Sequence, residues 1–476
     1  MNLRLHDTGT RSVRDFTPRV SGSVGVYLCG LTVQSPPHIG HLRSGVNNDV
    51  LRRWLTYNGM DVSFVRNITD IDDKILAKAL EQDRPYWTIA YANERLLAAD
   101  YAALNVLEPT YEPRATGHIP EMMTLITELI EKGHAYQAAD GSGDVYFDVL
   151  SFGEYGKLSG QRVDHMQAAA DGPVRAKRDP RDFALWKGPK DTEPQNAYWD
   201  TRYGRGRPGW HLECSAMARR YLGDTFDIHG GGVDLVFPHH ENEVAQSRAA
   251  GLGFARYWVH NAMVNLGNEK MSKSVGNVID LDSLRAFVRP IEVRYYLAVP
   301  HYRSVIEYSE DALRDSAAGF RRIEGFVQRA AERVGADDIR PDLGALAPEF
   351  EAALNDDLNT SGAMAAVHDA VREGNTACDA GDVKLLTSTA ASVRRMLDIF
   401  GLDPLAPQWT KAGGGDDLRS TLDALVALTL EQRQAARSRR DYATSDMLRD
   451  QLTAAGVQVE DTPHGPRWTY ETTKGN

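Results

Sequence analysis

Val24-Gly25-Val26-Tyr27-Leu28-Cys29, followed by His38-Ile39-Gly40-His41, is the stretch that decides the fold. The first run reads as a strand, and the residues from about 42 to 57 read as a helix. Both histidines then stand at a helix N-terminus, where unpaired N–H groups and the positive end of the helix dipole favour an anion. Their imidazoles can donate further hydrogen bonds to phosphate oxygens. Gly40 has no side chain, so a flat base can pack against the backbone there. Strand-then-helix segments, continued through Val62-Ser63-Phe64-Val65-Arg66, are the pattern that builds a parallel sheet.

Far downstream, Lys270-Met271-Ser272-Lys273-Ser274 sets two ammonium groups three residues apart, in a loop composition that runs into Gly276-Asn277. A positioned cation lowers the barrier to a departing pyrophosphate more than it helps ground-state binding. In this order the two strings fit an ATP-consuming adenylating site. On its own, the second string also admits a plainer reading, a helix start capped by Ser272 or Ser274 with solvated lysines. Its histidine partner favours the catalytic reading.

The 476 residues, 42% hydrophobic, suit two to four domains with buried cores. A net charge of -12 argues against generic polyanion binding. A specific nucleic-acid partner would need local basic surface, with candidates at Arg202, Arg205 and Arg207 and at Arg433, Arg437, Arg439 and Arg440. Solvated or salt-bridged faces explain those residues as well. Only Cys29, Cys214 and Cys378 occur, which excludes a disulfide framework. The start lacks the apolar run of a signal peptide and no later run has membrane length, so a cytoplasmic protein without a membrane partner is expected.

The strand–helix pattern holds from about 20 to 115, gives way to glycine- and aspartate-rich segments, and resumes at Trp210. The intervening stretch reads as an insertion between sheet halves. Helical periodicity dominates from about 308 through Phe400, and Lys411-Ala412-Gly413-Gly414-Gly415 reads as the clearest linker. A small terminal unit follows. Gly230-Gly231-Gly232 is too brief for a P-loop or a dinucleotide fingerprint.

Ligand-type side chains crowd Trp210-His211-Leu212-Glu213-Cys214, His229 to Asp234 and Pro238-His239-His240-Glu241-Asn242-Glu243. At helical spacing, His239 and Glu243 share a face about 5 to 6 Å apart at Cβ. Adding Cys29 and Cys214 gives two thiolates, an imidazole and a carboxylate, a set that suits zinc better than magnesium or calcium. Cys29 must arrive through the fold, and strand ends of a parallel sheet converging on one crevice provide the route. Taken singly, Cys29 also reads as a small buried residue and His239 as a core histidine. Cys378 reads as structural.

These segments, with Asn67-Ile68-Thr69-Asp70-Ile71-Asp72-Asp73-Lys74, Gly209-Trp210-His211 and the terminal Glu460-Asp461-Thr462-Pro463 and Arg467-Trp468, resemble the cysteinyl-tRNA synthetase family of class I aminoacyl-tRNA synthetases over nearly the whole chain. The chain departs from it at Leu31 and Gln34-Ser35-Pro36-Pro37, where members often carry Pro and Tyr-Asp. The resemblance implies an α/β fold: a Rossmann-like parallel-sheet catalytic domain in halves 1–115 and 206–290, split by a connective insertion at 116–205. A stem-contact region at 291–335, a helical bundle at 336–408 and a small anticodon-binding domain at 416–476 would follow.

It further implies zinc held by Cys29, Cys214, His239 and Glu243, and a pocket for amino acid and adenylate lined by Thr32, Thr69, Trp210, His229 and Asp234. ATP, carried with magnesium, would meet Gly40, His38, His41 and Lys273. His38, His41, Lys270 and Lys273 would act through the transition state. The implied reaction is activation of L-cysteine to cysteinyl-adenylate and transfer to the terminal adenosine of tRNA(Cys), by a monomer. Zinc would select the thiolate, and a site built around one group rejects analogues lacking it by roughly 10⁴ to 10⁵, which makes editing unnecessary. Four protein ligands close a tetrahedron, so five-coordination or a loosely held Glu243 is expected.

Two rivals stand beside this reading. A related ligase passes activated cysteine to an aminated inositol sugar, but that acceptor does not need the helical and terminal units of the C-terminal third. A binding protein without chemistry is opposed by intact His38, His41, Lys270 and Lys273.

Overall fold

In the computed structural model, the first strand–helix–strand unit is β1 (Ser23–Leu28), α1 (Ile39–Tyr57) and β2 (Asp61–Arg66). The structure describes residues 2–169, 176–266, 269–270, 278–455, 457–462 and 465–470. Val24, Val26, Tyr27 and Leu28 are all buried, as befits a strand covered on both faces of a parallel sheet. α1 begins earlier than its apolar pattern suggests, because His38 serves as its N-cap. Its inner face buries Leu42, Val46, Val50, Leu51 and Trp54, each large side chain contributing roughly 1.5–3 kcal/mol.

The chain returns to this sheet with α2 (Trp210–Leu222), β3 (Phe226–Gly232), α3 (Glu241–Ala249) and β4 (Ala255–Asn261). The sheet runs in the order β4-β3-β1-β2 with every pairing parallel. β1 connects outward to β2, whereas its other neighbour, β3, connects outward to β4. Strand order therefore reverses between β1 and β3, and such a switch point opens a crevice at the carboxyl ends of the strands. Cys29 follows β1 directly, and His229 to Gly232 close β3.

A small sheet comes next. β5 (Val264–Leu266) pairs antiparallel with β6 (Glu269–Lys270) and parallel with β7 (Ile306–Tyr308). Between the halves of the main sheet, five antiparallel strands from Ala135–Gln137 to Gly204–Pro208 form a separate sheet. Arg207, a candidate for basic surface, is buried there and paired with Asp73 and Glu193. It is a structural cation, because a carboxylate pair answers its burial. Helices Glu310–Val334, Pro348–Asn355, Thr360–Ala380 and Val383–Ile399 pack on one another.

The chain divides into two compact units, 1–403 and 404–476. The second holds helices Pro407–Ser438 and Tyr442–Ala454 and the hairpin Val457–Thr462 with Gly465–Tyr470. Val426, Leu452 and Val457 form its core, and Arg433 is buried. The Lys411–Gly415 stretch, read above as a linker, lies inside the first of these helices. Each glycine costs a helix interior about 1 kcal/mol relative to alanine. Pro407 at the helix start and good helix formers on both sides carry the helix through the three glycines.

Candidate active site and metal centre

Chain and sheet close on each other immediately after β1. The Cys29 N–H donates to the Gly230 carbonyl at 3.1 Å, and the Gly30 N–H to Asn67 Oδ1 at 2.8 Å. A Cβ on Gly30 would lie 1.6 Å from the Asn67 carbonyl oxygen, so only glycine permits this approach. Thr32 and Thr69 bridge the next step in parallel register.

At the start of α1 the two motif histidines form a reciprocal cap. The Gly40 N–H donates to His38 Nδ1 and the His38 N–H to His41 Nδ1, each at 3.1 Å. The rings stack with centroids 3.6 Å apart. An Nδ1 that accepts places the proton of a neutral imidazole on Nε2. Both rings are thereby set as Nε2–H donors, the form that can bond a phosphate oxygen.

Cys29, Cys214, His239 and Glu243 converge, their ligand atoms all within 4.8 Å of one another. Cys29 Sγ is 3.6 Å from Cys214 Sγ and 3.3 Å from Glu243 Oε1, and His239 Nε2 is 3.0 Å from the same oxygen. Burial pushes the Cys29 thiol well up, helped by its bond with Cys214. Burial also raises Cys214, but the Cys29 hydrogen bond and the His239 ring outweigh it and bring that thiol to about 6. Although burial opposes charge on both, the His229 and His239 rings bring the Glu243 carboxyl down to about 2, and Glu243 with Cys214 lifts the His239 imidazole to about 10. The Cys214 thiolate and the Glu243 carboxylate thus share a dry interior with one imidazolium, and a metal cation that took the place of the His239 proton would answer both anions.

The donors fit zinc in kind and in spacing. Two sulfurs at Zn–S distances of about 2.3 Å in a tetrahedron stand roughly 3.8 Å apart, close to the separation found. Behind His239, His211 Nδ1 lies 3.0 Å from His239 Nδ1. Burial and the neighbouring His239 keep His211 well below the usual imidazole range, hence neutral. A His239 that ligated through Nε2 would donate its Nδ1–H to the neutral His211 ring, which here takes the place of the carboxylate, carbonyl or water that commonly orients a metal histidine. Cys29 and Glu243 also group with His229 and His240 within the same span, but that set leaves out the acidic Cys214 thiol.

A cavity of ≈ 600 Å³ rises from this floor, with Cys29, Thr32, His38, Gly40, His41, Trp210 and Asp234 in its wall. Trp210 stacks on His239, centroids 4.2 Å apart. Thr69 and His229 are not in that wall. Thr69 is buried and donates to Glu213 Oε2 at 3.0 Å, and His229 is fully buried with Nε2 2.9 Å from Glu243 Oε2. Arg66, Lys74 and Tyr101 line the cavity as well. Sequence reasoning gave none of them a role in the site, though Lys74 closes the Asn67–Lys74 string it singled out and Arg66 directly precedes it. The backbone of Lys270 forms β6. Lys273, with Met271, Ser272, Ser274, Gly276 and Asn277, lies outside the described residues.

Residues 15–318 match the tRNA synthetases class I (C) catalytic domain, residues 349–405 the DALR domain, and residues 416–468 the cysteinyl-tRNA ligase anticodon binding domain. The chain is similar to the cysteine–tRNA ligase of Nocardioides sp., 57% identical over 473 residues, covering 98% of this chain and 100% of the relative. It is also similar to that of Streptomyces avermitilis, 55% identical over 470 residues, covering 98% and 99%. In fold it is like the Mycobacterium tuberculosis methionyl-tRNA synthetase solved with methionyl-adenylate, with a TM-score of 0.58 at 17% identity, covering 80% of this chain and 90% of that one.

Proposed function

The chain belongs to the cysteine–tRNA ligase family of class I aminoacyl-tRNA synthetases, and we propose that zinc on Cys29, Cys214, His239 and Glu243 selects its amino acid. The enzyme joins cysteine to tRNA with ATP, and the match of its C-terminal part to an anticodon binding domain favours tRNA over a sugar acceptor. Convergence of the four ligand-type groups, with Cys29 in the same cavity wall as His38 and His41, is the observation that carries the metal reading.

When bound, the metal supplies a soft Lewis acid that favours a thiolate over the harder, less acidic hydroxyl of serine. The remaining work falls to the chain. Trp210 and Thr32 wall the amino acid, and Asp234 stands where a substrate ammonium can pair with it. Cysteine's carboxylate attacks the α-phosphorus of ATP, the bond to the β-phosphate oxygen breaks, and pyrophosphate leaves. His38 and His41 donate Nε2–H to the phosphates, while Lys270 and Lys273 neutralise charge on the leaving group, with magnesium on the phosphates. A hydroxyl of the tRNA's terminal adenosine then attacks the carbonyl and AMP departs. No protein nucleophile is required.

We take the enzyme to work as a cytoplasmic monomer on tRNA(Cys). Among the described residues no helix is long and apolar enough to cross a membrane. The test is Cys214→Ser: zinc per chain should fall, and the preference for cysteine over serine in ATP–pyrophosphate exchange should collapse. Full preference retained without zinc would overturn the reading.

A further inference from the structure

Arg43 stands two residues beyond His41 in α1, is fully buried, and gives its guanidinium to backbone carbonyls of two separate segments. Nη1 donates to the carbonyls of Ala262 at 3.1 Å and Met263 at 2.8 Å. Nη2 donates to the carbonyls of His301 at 3.1 Å and Ser304. Burial lowers its pKa to about 10, which leaves it charged at neutral pH.

The acceptors are not scattered. Ala262 and Met263 lead straight into β5, and His301 to Ser304 lead into β7, its parallel neighbour. β5 in turn pairs with β6, Asn265 opposite Lys270. Ala262 and Met263 also line the same cavity as His38 and His41. One side chain thus ties the helix that presents the histidines to the entrances of β5, which pairs with the lysine strand, and of β7, which flanks β5 on its other side. Only a planar fork reaches four carbonyls at once; an ammonium has three donors on a compact head and cannot span them.

We propose that Arg43 is a positioning residue for adenylation: it fixes the histidine end of α1 against the β5–β7 pair, so that groups from both sides meet one phosphate chain. The proposal rests on the assignment of Lys270 to the leaving pyrophosphate. Misplacement of reacting groups by about 1 Å costs roughly 10²-fold in rate, and the amino-acid floor, built on other elements, is untouched by this tie.

The experiment is ATP–pyrophosphate exchange by the full chain carrying Arg43→Lys, Lys270→Ala or both, with kcat and KM read separately for ATP and cysteine. Arg43→Lys should lower kcat about 10- to 100-fold and leave KM for cysteine within about twofold. The double variant should lose less than the product of the single losses, because one residue acts through the other. An unchanged kcat, a KM for cysteine that rises as kcat falls, or multiplicative losses each overturn the proposal. If Lys270→Ala alone changes nothing, the lysine assignment fails instead. Should Arg43→Lys not fold, Arg43→Gln, which keeps a planar donor, carries the same test, and failure of both to fold assigns Arg43 a purely structural role against the proposal.

Discussion

Glu243 Oε2 lies 2.9 Å from His229 Nε2, and this buried contact turns Oε1 toward Cys29 and His239. His229 itself is clamped by Trp258, stacked at 4.5 Å. The carboxylate is therefore aimed by a ring that is itself immobile. Its second oxygen is engaged elsewhere, so Glu243 would meet a metal through one oxygen only.

His229→Ala should weaken zinc binding by about 10- to 100-fold, the usual effect of removing a residue that orients a ligand. Competition against a chelator of known affinity measures it. Zinc affinity unchanged in the variant would mean that helix geometry alone aims Glu243.

Acid sensitivity should trace to His260. Burial pushes its imidazole down to about 3, with the nearby His229 and His6 rings adding to it, and it bonds Thr8 Oγ1 and His240 Nδ1 at 2.7 Å each. The folded pKa lies below the unfolded value near 6.5, so the unfolded chain binds the extra proton between the two. The stabilisation is complete above about 6.5 and is lost as pH falls toward about 3, at most about 1.4 kcal/mol per pH unit from this ring. In urea melts from pH 4 to 7, His260→Gln should show a shallower slope than the parent, by up to one proton. Parallel slopes would exclude His260 as a source.

Gly30→Ala tests the closure after β1. The added methyl would meet the Asn67 carbonyl oxygen at 1.6 Å, and neither backbone can yield without moving Cys29 or breaking the Gly30–Asn67 bond. We expect a folded protein whose kcat/KM for cysteine activation drops by about 10- to 100-fold, together with partial zinc loss. Wild-type kinetics would show that the Asn67 loop adapts freely.

The start of the sheet was legible because β1 is a continuous apolar run buried on both faces, and α1 carries its own cap. The cluster of ligand-type side chains was legible because an imidazole and a carboxylate stand at i and i+4, a thiol lies nearby in sequence, and strand ends of a parallel sheet converge to bring in the other. Depth was not legible. Thr69, just past the end of β2, and His229, in β3, stand behind the cavity wall, and nothing in their local spacing tells a lining residue from its support. Arg43 was invisible for a related reason: its partners are backbone carbonyls more than two hundred residues away, which carry no side-chain signature. The glycine run at 413–415 was misread because composition reports the cost of a helix at that point and says nothing of the helix on either side.

A second buried arginine sets the stability of the larger unit. Arg294 is fully buried, pairs with Asp49 of α1, and donates to the carbonyls of Phe400 at 2.7 Å, Leu104 at 2.7 Å and Asn105 at 2.8 Å. Burial raises Asp49, but Arg294 and Arg53 together overcome it and hold the carboxyl below its ordinary value. Arg294 answers its own burial chiefly through Asp49 and falls to about 10. Removing one partner of such a pair leaves the other charge uncompensated, at a cost of about 3–5 kcal/mol. Asp49→Asn should therefore lower the unfolding free energy by that amount at neutral pH. Because the folded pKa of Asp49 is depressed, its contribution is present above the unfolded value near 3.9 and fades as pH falls below it, so parent and variant should converge in acid. Denaturant melts at pH 7 and pH 3 read both effects. A loss below about 1 kcal/mol at pH 7, the level of a surface pair, would mean that the three carbonyls alone suffice to hold Arg294, and that α1 is anchored to the Phe400 end of the bundle without help from charge.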